Sequence, residues 1–224
     1  MLILNKISKS FLQRGIVLKD LDLTVNEGDS VSIMGPSGSG KTTLLNIIGL
    51  LDRPDNGEVI FRGEPVLKYD HDESALYRNR NIGFVFQDHL LLPYLTIMEN
   101  ILLPLLASRA TEKDHRLKED EARKMMERTG ITDIAGKYPW QISGGEAQRA
   151  TLVRALVNKP SILLADEPTG SLDRKNSEKL GDLLTGMNKD YGITLILATH
   201  SQDLAGRMKI RYSLSEGKLV DGTN

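Results

Sequence analysis

The sequence predicts an α/β fold, in which a buried and largely parallel sheet is interrupted by a long helical insertion. Four short apolar runs have the length and composition of buried strands, and they are residues 31–34, 82–86, 162–165 and 193–198. Strands that are buried on both faces normally belong to parallel sheets. Between the second run and the third, about 75 residues have helical character and contain no comparable strand, so we expect an insertion near 88–159.

Length and composition favour a single globular domain with an insertion. The chain has 224 residues, of which 40% are hydrophobic, and its net charge is -1. We therefore expect one domain over 1–224, with a core formed by 1–87 and 160–224 and a helical subdomain over 88–159. The balanced charge gives no field that would favour nucleic acid, so no nucleic-acid partner is expected. The absence of cysteine excludes disulfides, a thiolate nucleophile and cysteine-ligated zinc.

The N-terminal region predicts a pair of antiparallel strands. Leu21, Leu23 and Val25 alternate with polar neighbours, and the turn that joins the two strands is expected over 11–15. No stretch of the chain approaches the 18 or so apolar residues that a membrane span requires, and the start lacks the pattern of a secretory leader. We therefore expect neither secretion nor a transmembrane segment.

Two helices are predicted inside the insertion. Thr96 and Glu99 form an S/T-x-x-E capping box at the start of the first, which Pro104 is expected to kink or end. The second is expected to begin at Thr111 and to stop at Gly130. It is mostly charged and should lie on the surface; its few apolar anchors are Leu117, Ala122, Met125 and Met126.

A glycine-rich segment directly after the first apolar run predicts a phosphate-binding loop. Its residues fit G-x-x-x-x-G-K-[ST], and they are Gly35, Pro36, Ser37, Gly38, Ser39, Gly40, Lys41 and Thr42. Glycines let successive backbone N–H groups converge on phosphate oxygens, and the helix that follows adds the positive end of its dipole. Lys41 is expected to reach the terminal phosphates, and the Thr42 hydroxyl is a candidate ligand of Mg²⁺.

Two consecutive carboxylates follow the third apolar run. Asp166 and Glu167 stand where open α/β sheets bind their ligands, at the carboxyl end of a strand. We expect Asp166 to contact Mg²⁺ indirectly, through water or through another ligand of the ion, and Glu167 to act as the general base for an attacking water. A lone Asp-Glu pair is more often a helix cap, but the upstream phosphate loop favours the catalytic interpretation.

A second capping box, Ser143-Gly144-Gly145-Glu146, allows two interpretations. As an S-x-x-E box, it is an ordinary helix start. As a serine and two glycines at a helix N-terminus, it is an anion site ready for a phosphate that another molecule brings. From this segment alone, the ordinary cap is favoured.

Taken together, these segments resemble the ATP-binding cassette ATPases over essentially the whole chain. The matching segments are Phe11 for the aromatic that stacks on adenine, 35–42 for Walker A, Gln87 for the glutamine loop, 142–146 for the signature motif, 171–173 for the aspartate loop and His200 for the switch histidine. The resemblance implies a P-loop NTPase with a RecA-like core, an N-terminal antiparallel β-subdomain and an inserted α-helical subdomain that carries the signature. A plain core phenylalanine is an alternative for Phe11.

The resemblance also implies ligands and residue roles. The expected ligands are ATP and Mg²⁺. It implies that Glu167, His200 and Gln87 are the catalytic residues. It also implies that Thr42, Gln87 and Asp166 bind the metal. Nucleotide contacts would come from Phe11, from the Walker A loop with Thr43, from Asp173 and from Ser143, Gly144, Gly145 and Glu146.

The signature suggests one branch of that family. Glu146 replaces the commoner glutamine, and the chain looks like the branch that includes lipoprotein-release (Lol-type), macrolide-export (MacB-type) and cell-division (FtsEX-type) ATPases. Ala147 and Ser171 depart from that branch, which usually has glutamine and asparagine there. The expected function is an ATPase subunit at the cytoplasmic face of the inner membrane that drives a separate permease, for lipoprotein release or the export of amphiphilic cargo.

The resemblance further implies a head-to-tail dimer of two copies, with each ATP between Walker A of one copy and Ser143 and Gly145 of the other. The apolar stretch 90–95, just after Gln87, would either contact an integral-membrane partner or pack inside the insertion. In an alternative function, the ATP cycle would transmit conformational change across the membrane and regulate an extracytoplasmic enzyme without transport. A soluble cassette of DNA maintenance or translation, or a small-molecule kinase, fits less well.

Overall fold

The structure is a computed structural model that describes residues 1–107 and 112–222, apart from the side chains of 112–115. Its strands are β1 (Leu2–Phe11), β2 (Gly15–Val25), β3 (Ser30–Met34), β4 (Asn56–Phe61), β5 (Glu64–Pro65), β6 (Ile82–Val85), β7 (Ile162–Asp166), β8 (Thr194–Thr199), β9 (Ile210–Ser215) and β10 (Lys218–Asp221). Its helices are α1 (Lys41–Ile48), α2 (His71–Asn81), α3 (Ile97–Leu106), α4 (Glu112–Thr129), α5 (Gly144–Leu156), α6 (Arg174–Tyr191) and α7 (Gln202–Ala205).

The larger sheet has the strand order β10-β9-β3-β8-β7-β6, and all its pairings are parallel except that of β9 with β10. The four apolar runs are the neighbouring strands β3, β8, β7 and β6, so the predicted α/β class is confirmed. This order places the ends of four parallel strands side by side. The glycine loop follows β3, His200 follows β8, Glu167 follows β7, and Gln87 lies two residues beyond β6.

The smaller sheet has the order β2-β1-β4-β5 and is antiparallel throughout. The predicted N-terminal strand pair is confirmed as β1 and β2, with the turn between Phe11 and Gly15. The alternating residues Leu21, Leu23 and Val25 are all buried. The sequence analysis missed β4, β5, α2, α6, α7, β9 and β10.

The segment between β6 and β7 contains helices α3, α4 and α5 and no strand within its described residues. Thr96 caps α3 in a complete capping box with Glu99, as predicted. Of the two effects predicted for Pro104, an end of the helix is wrong, since α3 continues to Leu106, and a kink stays a prediction. The carbonyl of Pro104 accepts a 2.7 Å hydrogen bond from the Asn79 amide, which satisfies an acceptor in the last turn of the helix.

Helix α4 confirms most of its predicted anchors. Ala122, Met125 and Met126 are buried, and Gly130 after the helix has the left-handed φ of 68°. Leu117 is wrong as an anchor, because it is 55% exposed. It lies five residues before Ala122, which puts it about 140° around the helix from the buried face. The predicted start at Thr111 lies outside the described residues.

Two hydrophobic clusters cover the two faces of the larger sheet. One contains the apolar faces of α3, α4 and α5 together with Leu163, Leu195 and Leu197, and the other contains α1, the smaller sheet and residues such as Leu164 and Ile196. Alternate residues of β7 and β8 therefore face opposite clusters, as expected for strands buried on both sides. The helical segment shares its core with the sheet, and the division of the chain at 88 and 159 stays a prediction. In the described part of the chain, no helix is long and apolar enough to cross a membrane.

Candidate functional site

The loop from Gly35 to Gly40 joins β3 to α1 and needs glycine for two different reasons. Gly40 has φ 106°, a conformation that side chains rarely adopt. At Gly35 the limit is space, because a Cβ atom there would lie 2.7 Å from the carbonyl oxygen of Leu214. The loop can therefore pass close to β9 and turn directly into α1, which begins at Lys41 without a side-chain cap. The N–H groups at such a helix start lack partners within the helix and are suited to bind an anion.

Lys41 is held inside this loop. Its Nζ donates hydrogen bonds to the carbonyl oxygens of Gly35 at 2.8 Å and Pro36 at 3.1 Å, and it lies 3.5 Å from Glu167 Oε1. The residue is only 7% exposed. These contacts fix a positive charge at the loop, where it can pair with a terminal phosphate.

Glu167 is fixed by the end of β8. Its Oε2 accepts hydrogen bonds from the Thr199 hydroxyl and the His200 backbone N–H, both at 3.2 Å, and lies 2.8 Å from His200 Nδ1. Its backbone has φ 45°, the left-handed region that is costly for a residue with a side chain. The Glu167 carboxylate lies between Lys41 Nζ and His200 Nδ1.

Asp166 lies at the end of β7 and is half-buried. Burial raises the pKa of Asp166 above its ordinary value, although a hydrogen bond from the Thr42 hydroxyl opposes the rise. The Oδ1 atom is shielded from solvent and has no hydrogen-bond partner. A buried carboxylate oxygen without a partner is costly, so this atom is suited to a ligand that brings a positive charge or a proton.

A cavity of about 640 Å³ is lined by nine of the predicted site residues. Gly35, Pro36, Ser39 and Asp166 do not line it. The predicted residues that line it are Ser37, Gly38, Gly40, Lys41, Thr42, Thr43, Gln87, Glu167 and His200. Arg14 and Val17 also line it and were missed by the sequence analysis. Arg14 could have been predicted as a site residue, because it lies in the predicted turn that begins at Phe11. Thr199 was missed too, although it directly precedes His200 in the sequence.

Phe11 borders an adjoining surface pocket with Arg14 and Thr43. Its side chain is 38% exposed, and the Lys9 ammonium lies 5.2 Å from the centre of its ring. The alternative of a core phenylalanine is therefore wrong. An exposed ring next to the phosphate loop can stack on a planar base.

Ser143 to Glu146 form the start of α5 and do not line the cavity. Ser143 and Glu146 make a complete capping box, which confirms the helix start. Asp173 caps α6 by accepting from the Asn176 backbone N–H at 2.8 Å, and it does not line the cavity either. Asn176 in turn packs against Gly145, where an added Cβ would lie 2.8 Å from its side chain. One chain thus holds two separate groups of site residues, one in the cavity and one around the tip of α5.

One family model and several known proteins match this chain over most or all of its length. The family model described as ABC transporter matches residues 18–170. The lipoprotein-releasing system ATP-binding protein LolD of Bacteroides thetaiotaomicron is 45% identical, covering 100% of this chain and 98% of that protein. LolD of Syntrophus aciditrophicus is 43% identical, covering 98% and 99%.

Solved structures of ABC transporter cassettes are also similar to this chain in sequence and in fold. A dimeric structure of MJ0796, a bacterial ABC transporter cassette, is 41% identical with a TM-score of 0.86, covering 98% of this chain and 96% of that one. A dimeric post-hydrolysis state of the same cassette, bound to ADP and Pi, has the same TM-score and coverage at 40% identity.

Proposed function

The chain belongs to the ABC transporter family of ATP-binding subunits, and on this premise we propose that it powers a membrane permease that releases lipoproteins. It is an ATPase of the LolD-like kind, related to the LolD proteins over its full length. The observation that carries the proposed site is the cavity in which Lys41, Glu167 and His200 meet. The relatives reported above are named for lipoprotein release, which favours that function over the regulation of an extracytoplasmic enzyme.

The phosphates of ATP would lie on the loop between Gly35 and Lys41. The N–H groups at the start of α1 and the Lys41 ammonium provide the positive charge for them. The adenine would stack on the exposed ring of Phe11, next to Thr43. This arrangement uses the cavity and its adjoining pocket as one binding surface.

Thr42, Asp166 and Gln87 would hold Mg²⁺. The unpartnered buried Oδ1 of Asp166 fits a nearby cation or its bound water, and the Thr42 hydroxyl is close enough to lower the pKa of this carboxyl. Within the described residues no cluster of three or more His, Asp or Glu side chains is poised to bind a metal, so phosphate oxygens and water would complete the ligand set. When bound, Mg²⁺ neutralises charge on the phosphate oxygens.

Glu167 would act as the general base. Its carboxylate would take a proton from the water that attacks the γ-phosphorus, while the bond to the bridging oxygen of ADP breaks and phosphate leaves. Thr199 and the His200 backbone hold the carboxylate in place for this step. The His200 side chain lies within hydrogen-bond distance of it and would contact the γ-phosphate.

A second copy of the chain would complete the site. Ser143 and Gly145 lie at the tip of α5, outside the cavity of their own chain. A two-fold dimer would bring each tip to the partner's phosphate loop, and both sites would then share the same isologous interface. The γ-phosphate would hold the two copies together until hydrolysis removes it. The dimeric structures of the related cassette support this arrangement.

The segment after Gln87 would contact the membrane partner at the cytoplasmic face. Leu90, Leu92 and Tyr94 are exposed, whereas Leu91 packs against the core. The interpretation of 90–95 as interior packing is therefore wrong for these three side chains. Exposed apolar residues so close to Gln87 are suited to pass motion from the nucleotide site to another protein.

Co-purification tests this proposal. A tagged Glu167→Gln variant, solubilised in mild detergent with ATP, is expected to bring down an integral-membrane protein. The same variant with Leu90→Asp and Tyr94→Asp is expected to lose that protein while its affinity for ATP is unchanged. Leu76→Asp, at an exposed apolar residue that lines neither the cavity nor its adjoining pocket, is the control and should retain the partner. If no membrane protein co-purifies with any variant, the permease assignment is contradicted.

A further inference from the structure

Glu146 holds both polar groups of Ser143. Its Oε2 accepts a 2.8 Å hydrogen bond from the Ser143 backbone N–H and a 2.6 Å hydrogen bond from the Ser143 hydroxyl. The hydroxyl oxygen in turn accepts from the Glu146 backbone N–H at 3.3 Å. Ser143 is exposed, so this network lies at the surface where a partner copy would approach.

The serine hydroxyl has a single proton, and in this structure the proton is directed at Glu146. A hydroxyl that donates to a carboxylate cannot donate to a phosphate at the same time. The bond to Glu146 is charge-assisted and therefore stronger than a bond between neutral groups. The pKa of the Glu146 carboxyl is kept low, first by the hydrogen bonds from Ser143 and then by the charges of Lys137 and Arg149, so the carboxyl is ionised at neutral pH.

The short distance between Ser143 and Glu146 also makes the approach of a phosphate to Ser143 unfavourable. A phosphate oxygen that contacts the Ser143 hydroxyl would lie at most about 5.4 Å from Glu146 Oε2 while the 2.6 Å contact is kept. Two negative groups at that distance repel each other, because the separation is shorter than the Debye length of about 8 Å in physiological salt.

We propose that Glu146 is a positioning residue that weakens the ATP-bound dimer by competing with the γ-phosphate of the partner's ATP for the Ser143 hydroxyl. This inference rests on the proposed function, in which Ser143 meets that phosphate. Closure then requires the Ser143 proton to leave the carboxylate. Glu146 thereby raises the ATP concentration that the dimer needs and speeds its opening after hydrolysis.

The chain contains a matched control for this network. At the start of α3, Glu99 Oε2 accepts from the Thr96 backbone N–H and hydroxyl, both at 2.7 Å, and the Thr96 oxygen accepts from the Glu99 N–H at 3.3 Å. The two boxes have almost the same geometry and lie in the same helical segment. Of these two boxes, the proposed dimer brings a phosphate only to the box of α5. Glu99→Gln therefore shows how the loss of a charge affects a helix cap that contacts no phosphate.

The test compares ATP-driven dimerisation in the Glu167→Gln background. Glutamine keeps a capping oxygen at position 146 but removes the charge. Dimer fraction is measured by analytical ultracentrifugation over a range of ATP concentrations. Glu146→Gln is expected to lower the ATP concentration for half-maximal dimer by about fivefold, the scale of one charge-assisted hydrogen bond exchanged for a neutral one. Glu99→Gln is expected to leave it unchanged, and the binding of ADP, which lacks the γ-phosphate, should be equal in all variants.

The outcomes separate this inference from the proposed function. If the Glu167→Gln parent forms no dimer with ATP, the proposed function fails together with the inference. If the parent dimerises but Glu146→Gln needs the same or more ATP, Glu146 does not compete for Ser143 and the inference alone is overturned. Steady-state kinetics with Glu167 intact provide a second readout, because Glu146→Gln should lower KM for ATP, whereas a variant that only weakens the fold would not.

Discussion

Glu167→Gln is expected to slow ATP hydrolysis by about 10²- to 10⁴-fold while leaving ATP binding intact. Glutamine preserves the size of the side chain and an oxygen that can accept from Thr199, but it cannot take a proton from water. The measurements are phosphate release under saturating ATP and the dissociation constant for ATP by calorimetry. The variant should also accumulate as a dimer with ATP, because the γ-phosphate stays in place.

Glu216→Gln is a matched control for this result. Glu216 is an exposed glutamate in the turn between β9 and β10, and its φ of 50° is close to that of Glu167. Its replacement therefore changes the same side chain in the same backbone conformation, away from the cavity. Turnover by Glu216→Gln should equal that of the parent. Normal turnover by Glu167→Gln would remove Glu167 from its proposed role.

Lys41→Ala is expected to weaken ATP binding by roughly 10- to 150-fold, the range for loss of a hydrogen bond to a charged group. The variant removes the ammonium at the phosphate loop and leaves the carbonyl oxygens of Gly35 and Pro36 without their donor. Binding is measured by calorimetry with ATP, and folding is monitored by thermal unfolding.

Lys118→Ala is the control for Lys41→Ala, because Lys118 makes contacts similar to those of Lys41 at a position away from the cavity. Lys118 donates a 3.3 Å hydrogen bond to the Val157 carbonyl oxygen and lies 3.8 Å from a Glu121 oxygen, so it too links a carbonyl and a carboxylate. It belongs to α4 and does not line the cavity. Its loss should leave ATP affinity unchanged. Equal ATP affinity in Lys41→Ala and the parent would contradict the proposed role of Lys41.

Local patterns in the sequence predicted the local structure well. The four buried strands and the capping boxes at Thr96 and Ser143 depend on neighbouring residues, so composition and spacing were sufficient. Helix α2 has a comparable box, in which Asp70 accepts from Glu73 and Glu73 from Asp70. The box alone does not predict a helix here, because α2 lacks a clear apolar face. Leu117 is exposed because it lies on a different side of α4 from the buried anchors, and the presence of an apolar residue in a charged helix does not reveal its side.

The assembly of the site depends on features that a single sequence does not encode locally. Lys41, Glu167 and His200 meet because β8 lies between β3 and β7, and the order of strands in a sheet follows from long-range packing. The phosphate-loop motif predicted Lys41, and the position after a buried strand predicted Glu167. Gln87 and His200 were predicted only from the resemblance to a family. The left-handed backbone of Glu167 has no sequence signal, since glutamate does not favour that conformation.

Cross-linking between two copies tests most directly whether the phosphate loop of one chain meets the α5 tip of another. The chain has no cysteine, so single cysteines can be added without background. One copy would carry Ser37→Cys and the other Gln141→Cys, both exposed positions in the Glu167→Gln background, and the two would be mixed with a short bis-maleimide. We expect a cross-linked heterodimer with ATP and little with ADP. No cross-link at saturating ATP, with or without the membrane partner, would contradict the shared site.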